Sequence, residues 1–205
     1  TTANDLNCYR LTVFTASSTC SASAKNTTTT FGVQYFAQAT DASSSFASQN
    51  WLATVIFKDP ENATGTADST GVELLTLTAL NITTSSINYG TIVASSTTGS
   101  TNQNATGTNA GNSSTTLQLS ANSTLTKGTD SIATGSQRYS TSSFTFAGTS
   151  TALTASPVTV GGFFLTSPTS TTNVSQPVFW GLTVPAGTPT GTYNGVNLFT
   201  SLFQD

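Results

Sequence analysis

Apolar residues along this chain come in short runs, rich in β-branched and aromatic side chains and separated by Ser, Thr, Asn and Gly. Runs of that kind mark strands and turns. The spacing predicts ten strands, at 9–16, 31–39, 51–57, 72–80, 87–94, 115–121, 139–147, 157–165, 177–184 and 192–203. No window keeps helix-period apolar spacing for three turns without a β-branched residue or a glycine interrupting it, so the expected class is all-β.

Individual strands carry further expectations. In 9–16, Tyr9, Leu11 and Val13 point one way and Arg10, Thr12 and Phe14 the other, which leaves an apolar face that something must cover. In 177–184, Val178, Trp180, Leu182 and Val184 share one face opposite Phe179 and Thr183, so Trp180 is read as a core anchor before a sugar-stacking residue. Trp51 is read the same way. The strand at 196–203 is apolar on both faces, Val196, Leu198 and Leu202 against Phe199 and Phe203, which suits burial inside its own sandwich. Residues 97–116 contain no large apolar side chain and are expected to form a long exposed loop, with a second loop at 166–176. There is no convincing repeat and no break that demands a second domain.

Composition narrows the function classes. The 205 residues fit one domain, or one domain with an extension. Only 13 are charged, and 74 are Ser or Thr, so hydroxyls and amides build the polar surface. A net charge of −3 without a Lys/Arg cluster offers no footprint for nucleic acid. No apolar run approaches the ~20 residues that a membrane-spanning helix needs. A chain that starts at Thr1 and lacks methionine is expected to be a processed, secreted form. Cys8 and Cys20 make at most one intramolecular disulfide, favoured in an oxidising compartment, or else stand as two buried thiols. With no histidine and 8 carboxylic side chains, few groups titrate in acid, so folding is expected over a wide acidic range.

The catalytic inventory is poor. The lack of histidine excludes Ser-His-Asp and Cys-His arrangements and His-containing zinc sites, and no phosphate-binding glycine loop occurs. Neither an enzyme nor a cofactor is expected. Asp59, Glu61 and Asp68 in KDPENATGTAD form the densest acidic stretch, read first as a solvated Pro-centred turn and second as a calcium loop. Seven Asn-X-Ser/Thr sequons stand at Asn26, Asn62, Asn81, Asn104, Asn112, Asn122 and Asn173, mostly in expected loops or strand ends where a glycan can stand in water. Unmodified loop asparagines are the other reading.

The C-terminal stretch VFWGLTVPAGTPTGTYNGVNLFTSLFQ, through Pro185, Gly187, Pro189, Gly191 and Tyr193, resembles the closing hairpin of secreted prokaryotic immunoglobulin-like β-sandwiches. Together with the composition, the sequons and the amphipathic first strand, the chain is similar to the archaeal thread-type pilins, glycosylated filament subunits with the architecture of bacterial type I pilins. That resemblance implies an immunoglobulin-like, pilin-like β-sandwich at 21–205 with an N-terminal extension at 1–20. It implies donor-strand complementation, in which Leu6, Tyr9, Leu11 and Val13 of one copy fill a groove in the next. The partners implied are further copies joined head to tail and N-linked glycans, on an extracellular cell-surface filament serving adhesion or biofilm cohesion. A Cys8–Cys20 disulfide departs from the pattern, because it folds the donor segment toward a hairpin. The alternative is a monomeric secreted module that binds carbohydrate or joins a surface layer.

Overall fold

The computed structural model describes residues 2–3, 6–10, 32–58, 61–146 and 150–204. They are almost entirely strand, turn and extended chain, paired in several antiparallel sheets, with one 3-10 turn at Thr134–Ser136. The all-β expectation holds. The chain groups into two units, Thr1–Thr76 with Thr169–Thr172, and Leu77–Pro168 with Asn173–Asp205. A division at 76/77 was not expected; the expected boundary at residue 20 lies outside the described residues.

The first unit carries β1 (Thr2–Ala3) paired with β2 (Tyr9–Arg10), and a hairpin of β3 (Thr54–Lys58) and β4 (Thr64–Asp68). Phe36 and Ala37 are fully buried in succession, which no strand with one covered face allows. The chain turns there instead, with Ala37 N–H donating to the Gln34 carbonyl at 3.0 Å, so the expected strand at 31–39 is absent over 32–39. Trp51 pairs with Val72, and its indole Nε1 donates to the Gln38 carbonyl at 2.8 Å. The strand expected at 72–80 is not found over 73–79; beyond the Trp51–Val72 bridge, side chains accept the next N–H groups. Leu74 N–H donates to the Thr40 hydroxyl at 2.9 Å and Thr76 N–H to the Asp41 carboxylate at 2.8 Å.

The second unit holds β5 (Leu80–Ile82), β6 (Gln103–Asn109), β7 (Thr115–Ala121), β8 (Leu125–Lys127), β9 (Asp130–Ile132), β10 (Gln137–Ser140), β11 (Thr151–Ala152), β12 (Val158–Leu165), β13 (Ser175–Leu182) and β14 (Asn197–Phe203). One sheet has the order β11-β10-β13-β6-β5, another β12-β7-β14, and β8 and β9 form a small hairpin. Both larger sheets feed one core. Leu117 and Leu119 of β7 and Val160, Phe163 and Leu165 of β12 meet Ala105 of β6, Tyr139 of β10 and Val178 and Trp180 of β13. Trp180 is fully buried, with Tyr139 5.7 Å and Phe199 5.8 Å from its ring centre. Each such aliphatic or aromatic burial contributes about 1.5–3 kcal/mol before ordering costs. The predicted face of Val178, Trp180, Leu182 and Val184 is the buried one.

Two expectations fail here. The exposed loop read at 97–116 contains β6, which lies between β13 and β5 in the larger sheet. Its inward residues are small because the neighbours are large: a Cβ on Gly107 would stand 2.9 Å from the Phe163 ring. Nor is the C-terminal strand buried on both faces. Among the described residues it ends its sheet, and Leu198 remains 49 % exposed.

Candidate assembly surface

Among the described residues β14 has a neighbour on one side only, β7. Gln204 N–H donates to the Ser114 carbonyl at 3.0 Å, and the Val196 carbonyl accepts from Asn122 N–H at 2.8 Å. In an antiparallel ladder the backbone alternates between its two sides, so the even-numbered residues address β7. Asn197, Phe199, Ser201 and Phe203 therefore turn N–H and C=O toward the open side, where none of them makes a main-chain hydrogen bond among the described residues. The same four residues stand in register with Ala121, Leu119, Leu117 and Thr115, all buried, so their side chains are on the core face. Yet Phe203 is 42 % exposed where its register partner Thr115 is wholly buried. Among the described residues the core-facing side chains along this edge are incompletely covered.

Among the described residues the larger sheet ends at β5, whose Leu80 and Ile82 are only partly buried against the same core. Beyond it, residues 84–92 bend at Ser85 and pass through a left-handed Gly90 (φ 72) without joining a sheet. Ile87, Tyr89 and Ile92 pack on the buried clusters, while Asn88, Gly90 and Val93 between and after them are exposed. Among the described residues, the main chain of this run makes one hydrogen bond, from Gly90 N–H to Asn88 Oδ1 at 2.9 Å. Side chains hold it to the core and no ladder forms, so the strand expected at 87–94 is not found.

A buried polar cluster ties these parts together. Gln137 on β10 accepts at Oε1 from the Tyr89 hydroxyl at 3.1 Å and from Asn197 Nδ2 at 3.0 Å, and its Nε2 donates to Asn197 Oδ1 at 3.3 Å. Burial pushes the Tyr89 phenol well above its ordinary range. None of the three was singled out from sequence for this role, since they lie 48 and 60 residues apart and nothing local marks them.

Of the expected donor residues, the Leu6 carbonyl accepts from Gln38 N–H at 2.9 Å, and Tyr9 lies 5.6 Å from Trp51 and accepts from Gln34 N–H at 3.1 Å, all within the first unit. Leu11, Val13, Cys20, Asn26 and Asp59 lie outside the described residues, and Cys8 is exposed. Asn62, Asn81, Asn104, Asn122 and Asn173 are exposed. Asn112 is not: it is 9 % exposed and its Oδ1 accepts from Leu77 N–H at 2.6 Å. Glu61 and Asp68 are exposed, Asp68 accepting from the Thr54 hydroxyl at 2.5 Å. Among the described residues no three His, Cys, Asp or Glu side chains gather as a metal site would require, and no helix is long and apolar enough to cross a membrane. Comparison of the chain with protein-family models, curated proteins and solved structures finds no match.

Proposed function

We propose that the chain is the structural subunit of an extracellular filament, that its second unit is an immunoglobulin-like, pilin-like sandwich short of one strand, and that the N-terminal strand of the next copy fills the place beside β14. The observation that carries this is the double opening of β14: four residues present an unpaired backbone to the side on which their core-facing side chains are incompletely covered. A strand added there gains main-chain hydrogen bonds and buries its alternate side chains in one step. Open sheet edges favour association unless blocked, and β14 carries neither a charged residue nor a proline.

Tyr9 and Leu6 already engage their own unit, so the donated face is carried by Leu11 and Val13, with Tyr9 as the root of the extension. A strand that leaves one copy and enters another makes a heterologous contact, which propagates into a fibre instead of closing a dimer. The role is mechanical and requires no catalysis; N-linked glycans on the exposed sequons would then coat a surface that few charges protect. Secreted native material viewed by negative-stain electron microscopy tests this: long fibres are expected, and their loss on deletion of residues 1–16. Discrete particles from the intact chain, or normal fibres from the deletion, would overturn it.

A further inference from the structure

On the outer face of the larger sheet an aromatic ring stands beside a sequon. Val178 and Trp180 of β13 and Ala105 of β6 are buried in the core, so Phe179 and Asn104, which alternate with them, point to the opposite face. Register sets Asn104 directly across from Phe179, with Ser140 of β10 on the other side and Thr106 across from Pro177 in the next row. At Gly181, two residues on, Phe144 and Thr98 cover this face, since a Cβ there would stand 3.1 and 2.9 Å from them. Phe179 is left half-buried and Asn104 exposed.

The ladder makes the two a close pair. Asn109 N–H donates to the Val174 carbonyl at 2.9 Å, so the odd-numbered residues of β6 bond to β13 and the even-numbered ones do not. Asn104 and Phe179 are therefore a non-hydrogen-bonded pair, the kind whose side chains approach most closely, with Cβ atoms about 5 Å apart. Among the described residues neither the Asn104 amide nor the Thr106 hydroxyl makes a hydrogen bond, so both groups that define the sequon are free. Asn81, the other exposed sequon on a strand, faces Thr108, and Asn62, Asn122 and Asn173 lie outside the strands.

We infer that the first sugar of an N-linked glycan on Asn104 lies against the Phe179 ring, so that this glycan, unlike those on the other exposed sequons, stabilises the fold. Attachment fixes the occupant: Nδ2 displaces the carrier of an activated glycosyl donor at the anomeric carbon and loses one proton, which tethers the sugar beside the ring. The C–H face of the sugar then covers apolar surface of the phenyl group while its hydroxyls stay in water. The inference rests on the proposal that exposed sequons are glycosylated, and adds what one of them does.

Calorimetry of the full glycosylated chain tests it, with peptide mass spectrometry reporting which sequons are occupied. Asn104→Gln and Thr106→Ala each remove the glycan, the second without altering Asn104, and each should lower the melting temperature by about 2–4 °C. Asn81→Gln should leave it unchanged, as should all three substitutions in chain produced without glycosylation. The loss should persist in a Phe179→Tyr background and vanish in Phe179→Leu, which stays apolar but has no ring. Glycan on other sequons but not on Asn104 overturns the inference and leaves the glycan proposal standing, whereas no glycan on any sequon overturns both. An occupied Asn104 whose glycan is removed without loss, or with the same loss in Phe179→Leu or in the unglycosylated chain, overturns the inference alone.

Discussion

Gln137 and Asn197 exchange two side-chain hydrogen bonds, at 3.0 and 3.3 Å, and so join the five-stranded sheet to the open-edged strand of the three-stranded one. Gln137 is 1 % exposed, so its amide depends on protein partners. Asn197→Ala removes two of its bonds and leaves only the Tyr89 hydroxyl, at an expected cost of about 1–3 kcal/mol. Urea titration of Asn197→Ala, Gln137→Ala and the double variant should show a double change smaller than the sum of the singles. Strict additivity would mean that the pair is not coupled.

Gly107 shows how closely β6 is fitted. A methyl group there would meet Phe163 at 2.9 Å and Leu80 at 3.2 Å. Gly107→Ala should destabilise the protein by about 1–3 kcal/mol through overpacking. Gly65, with nothing within 4 Å, is the control and should tolerate alanine. Equal midpoints for the two variants would contradict this packing.

Stability should fall in alkali. Burial raises the phenols of both Tyr89 and Tyr139 above the ordinary 10.0. The unfolded chain loses those protons near pH 10 while the folded chain keeps them, so stability is level below about pH 10 and declines above it. Tyr89→Phe should flatten part of that decline. At the acid end, Asp41 is held below 3.8 chiefly by the Thr76 hydroxyl and then by its N–H. Its contribution is present above that value and is lost as pH falls through the lowered one. Urea midpoints from pH 2 to 11.5 check both limbs, and a level alkaline limb contradicts the first.

The sequons divide by exposure. If the chain is glycosylated as proposed, peptide mass spectrometry of native material should find glycan on some of Asn81, Asn104, Asn122 and Asn173, which are exposed, and none on Asn112, which is buried. Occupied Asn112 would contradict the burial of its side chain.

The strands legible in the sequence are those whose own side chains are bulky and alternate: β7 matches its expected span of 115–121, and β12 and β13 match theirs within two residues. β6 was illegible because Ala105 and Gly107 contribute little bulk of their own and are buried by Phe163 and Leu80, far away in sequence. The sequence at 72–76 has the alternation of a strand, but the N–H groups of Leu74 and Thr76 go to the Thr40 and Asp41 side chains, a choice no local pattern records. At the candidate surface, the amphipathic character of 9–13 was visible, but the open side of β14 depends on sheet order.

The central proposal is that residues 11–16 of one copy lie along β14 of the next. A photoreactive benzophenone side chain placed at position 13 reports that neighbour directly, because it reacts only with groups it touches. After irradiation of assembled material made from a mixture of light and heavy isotope-labelled chains, peptides linking position 13 to residues 197–203 are expected, in pairs of one light and one heavy chain. Links found only within a single chain, or only to peptides away from β14, would contradict donation of this strand.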